Sequence, residues 1–291
     1  MNDVFDRKEI MNRLLRNWRL PLQAFSIALA IVLIRVVLDK AGLERISVSP
    51  LVATIITATV FILGFLLTGV LSDYKESEKL PGDLAVSLGV IADECAVLWR
   101  HKQAAPARDC LLHVVDLVSS FKRWFCKTER TQVLSEKISA LGDHFFLLEP
   151  FTQANFIVRL KQEQTAITRM LTRIHTIRET SFVASGYTMA VISTVLVLIG
   201  LLSLKVSPWY ESAFLVGVIA LFLAYLILLI RDLDDPFDYG EDGTARGEEV
   251  SIKPLYDLEK RLAAQLEALG ITSGESEQAA PARGEVASPS S

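Results

Sequence analysis

The chain has 291 residues, of which 51% are hydrophobic, and its formal net charge is -4. Its mean hydropathy of +0.36 is higher than soluble domains usually have, which argues against an ordinary soluble globular protein. The small net charge says little about partners, and we expect no nucleic acid among them.

Four apolar runs are long enough, or nearly so, to cross a membrane as helices. Three of them, 51–71, 181–204 and 212–230, carry no charged residue. Each reaches the roughly 20 residues that span about 30 Å of hydrocarbon. The first run, 20–38, contains Arg35 near its end, where the guanidinium could snorkel to the interface, pair with an acid on a neighbouring span or attract anions. The sequence therefore predicts a membrane protein with four spans.

The charges beside these runs predict the orientation. The N-terminal segment, 1–19, carries five Lys or Arg residues, and no signal-peptide cleavage pattern follows the first apolar run. The loops 39–50 and 205–211 are poor in Lys and Arg. By the positive-inside rule, we expect both termini in the cytoplasm and the protein in the inner or plasma membrane.

The region between the two membrane pairs has a helical pattern of apolar residues. They recur in steps of three or four, and Pro106 and Pro150 interrupt the pattern. The stripes are Leu84, Leu88, Ile91, Cys95 and Leu98; Leu111, Val115, Val118, Phe121 and Phe125; Leu134, Ile138, Leu141, Phe145 and Leu148; and Phe156, Leu160, Ile167, Leu171, Ile174 and Ile177. This pattern predicts a helical bundle.

The predicted fold class is an all-α, four-span membrane protein with a cytosolic helical bundle. The last span should end near Asp234, because Asp235-Pro236 and Gly240 mark a turn, and Pro254 suits the first turn of a final helix. The predicted segments are a cytosolic N-terminal segment (1–19), a first membrane helix pair (20–71), a cytosolic helical domain (72–180), a second membrane helix pair (181–230), a cytosolic turn and amphipathic helix (231–269) and a disordered tail (270–291).

Residues that could carry enzyme chemistry are few. The four histidines, His101, His113, His144 and His175, form no i, i+3 or i, i+4 pair, so we expect scattered structural histidines rather than a zinc site. The sequence contains no glycine-rich phosphate loop, no GxSxG and no HExxH motif. We therefore expect no enzyme and no catalytic residue. A membrane-bound enzyme that uses a metal at the acidic cluster after the last span is a remote alternative.

The second apolar run has a helical face that a simple membrane span does not need. Its members, at steps of three or four, are Thr54, Thr57, Phe61, Phe65, Thr68 and Ser72. One interpretation is helix packing, in which the threonines bond their own backbone and Gly64 and Gly69 permit close approach. The other is a pore, in which hydroxyls partly hydrate ions and Phe61 and Phe65 form apolar rings that gate by dewetting. Such a pore needs several copies of the chain around an axis.

Two short motifs resemble those of bestrophins. The segment FILGFLLTGVLSDYKESEKLP, 61–81, has the F-x-L-G-F pattern and the E-x-L-P ending of the second membrane helix and its continuation in that family. Asp235, Pro236 and Phe237 match the N-P-F or D-P-F turn after the fourth span. The order of two spans, a cytosolic helical domain and two further spans also agrees. Bestrophin-like families of unassigned function share much of this pattern.

The resemblance implies a homopentameric ion channel in the lipid bilayer, commonly conducting anions such as chloride. It places the neck of the channel at Thr57, Phe61 and Phe65, the residues that the helical face selects independently. Thr68 would help to solvate ions. Asp73 and Glu76 would set the charge at the inner mouth, where they favour cations.

The resemblance also raises the question of calcium. Animal bestrophins carry a longer uninterrupted acidic run after the turn motif that binds this ion, whereas Tyr239 and Gly240 interrupt the run here. The calcium candidates are Asp234, Asp235, Asp238, Glu241 and Asp242. We favour a solvated acidic turn over a calcium site for these residues. We expect no other metal and no cofactor.

A non-conducting membrane scaffold or sensor is the principal alternative to a channel. Its cytosolic helices, with the leucine stripe of the last helix, would bind a partner protein. The leucines are Leu255, Leu258, Leu262, Leu266 and Leu269. A monomer or dimer in detergent would favour this alternative, because an axial pore needs more subunits.

Overall fold

The computed structural model describes residues 18–42, 46–47, 50–179, 184–239 and 249–271. Within these residues the chain forms nine α-helices and one pair of two-residue strands. The elements are α1 (Arg19–Lys40), β1 (Ile46–Ser47), α2 (Pro50–Ser77), α3 (Leu80–Lys102), α4 (Ala105–Phe125), α5 (Thr131–Leu148), α6 (Ala154–Glu179), α7 (Ala184–Leu202), β2 (Leu204–Lys205), α8 (Trp209–Asp234) and α9 (Lys253–Ala268). The strands pair in parallel, with Ile46 opposite Leu204. The predicted all-α class is confirmed.

The chain divides into two compact units. The first comprises residues 1–79 and 174–250, and the second comprises 80–173 and 251–291. The first unit therefore contains α1, α2, α7 and α8, and the second contains α3, α4, α5 and α9. Helix α6 contributes residues to both.

The core of the first unit is built from α2, α7 and α8. Its most buried members are Leu63, Leu66 and Val70 of α2, Ala190, Val197 and Leu201 of α7, and Val216, Leu223, Ile230 and Leu233 of α8. Helix α1 lies close against α8, because a Cβ atom placed on Gly217 would lie 2.9 Å from Cγ2 of Val32. Glycine at this position lets the two backbones approach.

Within the described residues, three helices are long and apolar enough to cross a membrane, namely α1, α2 and α8. The fourth predicted span corresponds to α7, which has 19 residues without a charge. Helix α2 has 28 residues, or about 42 Å at a rise of about 1.5 Å per residue, so its last turns extend beyond about 30 Å of hydrocarbon. The chain is an integral membrane protein.

The second unit confirms most of the predicted apolar stripes. All five predicted residues of α5 are buried, as are the first four of α3 and the first four leucines of α9. Leu98 and Leu269, at the ends of their stripes, are only half-buried. Two further predictions are wrong. Val114 is buried on α4 where Val115 was expected, and Phe156 on α6 is 39% exposed. Gln164, the polar residue within the α6 stripe, donates to the carbonyl of Ile138 at 2.7 Å.

Polar contacts join α9 to α4 in the second unit. The Lys122 ammonium lies 2.6 Å from Oε2 of Glu259 and 4.4 Å from the ring centroid of Tyr256. Pro254 lies in the first turn of α9, as predicted. Most of the predicted disordered tail lies outside the described residues.

Candidate functional site

Most of the surface of α2 is exposed in the single chain, and the predicted face with its two phenylalanines lies within this exposed part. Phe61 and Phe65 are 73% and 71% exposed. The polar residues of the same face, Thr54, Thr57, Thr68 and Ser72, are also exposed. The opposite face, which includes Leu63 and Leu66, packs into the core of the first unit. The structure thus places all six predicted face residues on one open surface.

The threonines of this face donate to their own helix. Thr57 Oγ1 lies 2.9 Å from the carbonyl oxygen of Ala53, and Thr68 Oγ1 lies 2.8 Å from that of Gly64. Thr54 bonds the carbonyl of Pro50 in the same way at 2.9 Å. Because each O–H group is directed to the backbone, the hydroxyl oxygen offers its lone pairs to a ligand. In this arrangement the face presents hydrogen-bond acceptors beside aromatic rings.

Charges of both signs lie at the C-terminal end of α2. Lys75 and Glu76 are exposed, whereas Asp73 is half-buried. At about 100° per residue, Lys75 and Glu76 flank the line that runs through Phe65 and Ser72, and Asp73 lies about a quarter turn away from that line. The end of α2 that the sequence predicts to be an acidic inner mouth therefore also carries a positive charge, that of Lys75, on the same face.

Arg35 is buried, and its guanidinium joins three elements of the first unit. Its side chain donates to the Ser212 hydroxyl and to the carbonyls of Leu202 and Leu204, the latter at 2.7 Å. Carbonyls at the end of a helix lack partners within the helix, and the Leu202 carbonyl ends α7. Arg35 is only 1% exposed. The expectations that it snorkels to the interface or attracts anions from solvent are therefore wrong.

The Asp235-Pro236-Phe237 turn anchors the end of α8. Helix α8 ends at Asp234, as predicted. The backbone N–H of Phe237 donates to Oδ1 of Asp235 at 3.4 Å, and the N–H of Val250 donates to the carbonyl of Pro236 at 2.9 Å. The Phe237 side chain is fully buried. The described contacts give this motif a structural role.

A cavity of about 420 Å³ opens beside this turn in the first unit. Its charged lining residues are Arg19, Arg231, Asp232, Asp235, Asp238 and Glu249. Burial lowers the pKa of the neighbouring Arg178 guanidinium, and the carboxylates of Asp235, Glu179 and Asp238 oppose that shift. The cavity thus mixes carboxylates with guanidinium groups.

Three of the five calcium candidates, Asp234, Asp235 and Asp238, lie among the described residues. In this described part of the chain no three Asp, Glu, His or Cys side chains converge as metal ligands, and two arginines share the cavity with Asp235 and Asp238. The candidates Glu241 and Asp242 lie outside the described residues, as does Gly240. Calcium binding by the complete cluster stays a prediction.

The sequence predicts scattered histidines, but two of them lie side by side in the structure. His113 of α4 and His144 of α5 lie with their ring centroids 4.7 Å apart. His113 lies about 12 residues before the end of α4, and His144 about 13 residues after the start of α5. Two antiparallel helices with a short connection bring such positions level. The two histidines are almost equally far in sequence from the connection between α4 and α5, and this spacing could have predicted the pair.

The fold and the exposed face of α2 define an all-α integral membrane protein that carries aromatic and hydroxyl groups on one open membrane helix. This structure is similar to crystal structures of a bacterial bestrophin homologue from Klebsiella pneumoniae. For a variant with an isoleucine-to-threonine mutation, the TM-score is 0.70 at 14% identity, over 84% of this chain and 98% of that chain. For a leucine-to-threonine variant, the TM-score is 0.67 at 15% identity, over 84% and 97%.

The likeness is at the level of the fold. A third structure, described as a membrane protein with a glycine-to-alanine mutation, gives a TM-score of 0.69 at 14% identity over 86% of this chain and 98% of that chain. No family model and no curated protein matches the sequence. The chain has the bestrophin fold, which confirms the resemblance that the two short motifs indicated.

Proposed function

We propose that the protein is an ion channel formed by several copies of the chain, with the exposed face of α2 lining the axis. The observation that carries the proposal is the position of Phe61 and Phe65. They are 73% and 71% exposed on a membrane helix whose opposite face forms the core. Around an axis, such residues form stacked apolar rings that can gate by dewetting.

Two further observations support a pore rather than a lipid-facing surface. The same face carries Thr54, Thr57, Thr68 and Ser72, all exposed. A surface that only contacts lipid does not require hydroxyl groups, whereas an ion that sheds water gains partial solvation from them. The bestrophin fold adds the arrangement of spans. Five copies is the subunit number that the resemblance implies.

The proposed roles follow from position along α2. Phe61 and Phe65 form the gate, and Thr57 and Thr68 solvate ions on either side of it. Glu76, with Asp73, sets charge at the inner mouth, where Lys75 opposes it. By the positive-inside rule, both termini lie in the cytoplasm of a cell whose inner or plasma membrane holds the protein.

The proposal takes chloride as the conducted ion, as the resemblance to bestrophins implies. The positive edges of the Phe61 and Phe65 rings can meet an anion. Sodium is the competing ion, because Thr57 and Thr68 present acceptor oxygens while their O–H groups bond the backbone. The two ions therefore need separate measurement.

Flux of chloride and of sodium into liposomes that hold the purified protein tests the proposal. We expect flux that depends on the protein, with chloride carried faster than sodium. Faster sodium flux would keep the channel and overturn its proposed ion. The channel would be rejected if neither ion crossed with the oligomer intact, or if the protein were a monomer or dimer in mild detergent.

A scaffold or sensor is the second candidate function. An open groove of about 530 Å³ lies between α3 and α9 in the second unit. Its lining includes Ala85, Val86 and Leu258 beside the charged Asp93, Asp257 and Arg261. Grooves with a largely apolar lining are the kind that bind the apolar face of a partner helix. The flux measurement separates the two candidates, and we propose no catalytic role for either.

A further inference from the structure

Two histidines from neighbouring helices of the second unit meet side by side. The ring centroids of His113 on α4 and His144 on α5 are 4.7 Å apart, and the ring planes are tilted by 38°. Both side chains are half-buried. Solvent therefore reaches the pair, and neither the proposed pore nor the core packing requires two imidazoles at this point.

The hydrogen bond of His113 fixes which ring nitrogen is available. Its Nε2 lies 2.8 Å from the carbonyl oxygen of Lys137. A carbonyl oxygen only accepts, so Nε2 carries the proton, and in the neutral ring the lone pair is on Nδ1. Histidines that bind metals usually donate their other N–H group to a carbonyl or carboxylate in this way.

The separation of the rings is close to the one expected for two imidazoles on a shared metal ion. With metal–nitrogen bonds of about 2.0–2.1 Å and a near-tetrahedral angle, two imidazoles on one zinc ion have centroids about 5 Å apart. The observed 4.7 Å needs only a small adjustment. Imidazole nitrogen suits zinc and similar divalent ions and does not suit calcium or magnesium, which prefer oxygen.

We propose that His113 and His144 form a two-histidine site for a divalent transition-metal ion of the zinc type, which links α4 to α5. No three His, Cys, Asp or Glu side chains converge as ligands among the described residues. A tetrahedral ion held by two histidines would take water at two positions, one more than the open zinc sites that have three protein ligands. The exposed carboxylate of Asp109, one helical turn before His113, adds negative charge near the site.

Zinc binding to the full chain in detergent tests the site, with protein purified without a polyhistidine tag. Competition with a chromophoric zinc indicator would give affinity and stoichiometry for wild type, His113→Gln and His144→Gln. Removing even a residue that only hydrogen-bonds to a metal ligand lowers the metal affinity about 10–100-fold. Each glutamine variant removes a ligand itself, so its zinc affinity should fall by at least this factor. His101→Gln, at an exposed position outside the pair, is the matched control and should bind as wild type does.

Two further measurements keep the test decisive if a variant fails to fold. Zinc, but not magnesium or calcium, should raise the melting temperature of the wild type. It should also protect His113 and His144 from an imidazole-modifying reagent, read by peptide mass spectrometry, and leave His101 reactive. The proposal would be overturned if the wild type bound no zinc at a free zinc concentration of about 100 µM. Unchanged binding by both glutamine variants, or modification of both histidines despite zinc, would also overturn it.

Discussion

The guanidinium of Arg35 donates to the hydroxyl of Ser212, from Nε at 2.9 Å and from Nη2 at 2.7 Å. These residues lie on α1 and α8, and both are 1% exposed. The same side chain bonds the carbonyls of Leu202 and Leu204. One buried cation therefore holds the end of α7, the strand β2 and the start of α8 together.

Ser212→Ala should destabilise the first unit. It would remove the hydroxyl that accepts hydrogen bonds from Nε and Nη2 of Arg35 in a buried site, at a cost of about 1–3 kcal/mol. Thermal unfolding in detergent would show a lower melting temperature. Ser26→Ala is the matched control, because that exposed hydroxyl bonds only the Gln23 carbonyl one turn away. Equal melting temperatures for the two variants would contradict the role assigned to Arg35.

Gly217→Ala should weaken the packing of α1 against α8. The new Cβ would lie 2.9 Å from Cγ2 of Val32, a stiff β-branched side chain. Overpacking of this kind costs about 1–3 kcal/mol. Gly200→Ala on α7 is the matched control, because its Cβ meets nothing within 4 Å.

The same contact offers a rescue experiment. Val32→Ala removes the atom that Gly217→Ala would strike, so the double variant should regain stability relative to the single glycine variant. Unfolding of all four proteins by heat or denaturant forms a double-mutant cycle. A cycle without coupling would mean that the two helices do not meet at Gly217 and Val32.

Phe237→Ala should destabilise the end of α8. The side chain is fully buried in the turn that follows Asp234. Loss of a buried phenylalanine costs about 3–5 kcal/mol. Phe222→Ala, at a position 61% exposed on α8, removes the same atoms with little effect. Equal melting temperatures for Phe237→Ala and Phe222→Ala would show that the turn motif does not anchor the chain.

The sequence predicts the elements whose signal lies within one helix. Spacing of three and four residues identified the stripes of α3, α5 and α9, and Asp235-Pro236 marked the end of α8 because proline disfavours a helical residue before it. The open face of α2 followed from the same arithmetic. Phe156 was predicted to be buried but is exposed, because a residue in the first turn of a helix need not contact a neighbouring helix even where the apolar spacing continues.

Contacts between distant residues could not be predicted in the same way. Arg35 and Ser212 are 177 positions apart, and no local pattern connects a cation near the end of one span with a serine at the start of another. His113 and His144 required the register of two adjacent helices. These sites depend on tertiary packing, which periodicity does not encode.

Ion flux through Phe61→Ala, measured beside wild type in liposomes at matched oligomeric state, tests the central claim most directly. Phe222→Ala is the control, because it removes an exposed phenylalanine from α8 rather than from α2. If Phe61 forms an apolar gate, its removal should increase flux while Phe222→Ala conducts as wild type does. Equal flux through folded Phe61→Ala and wild-type oligomers would contradict the gate, and no flux through either would contradict the channel.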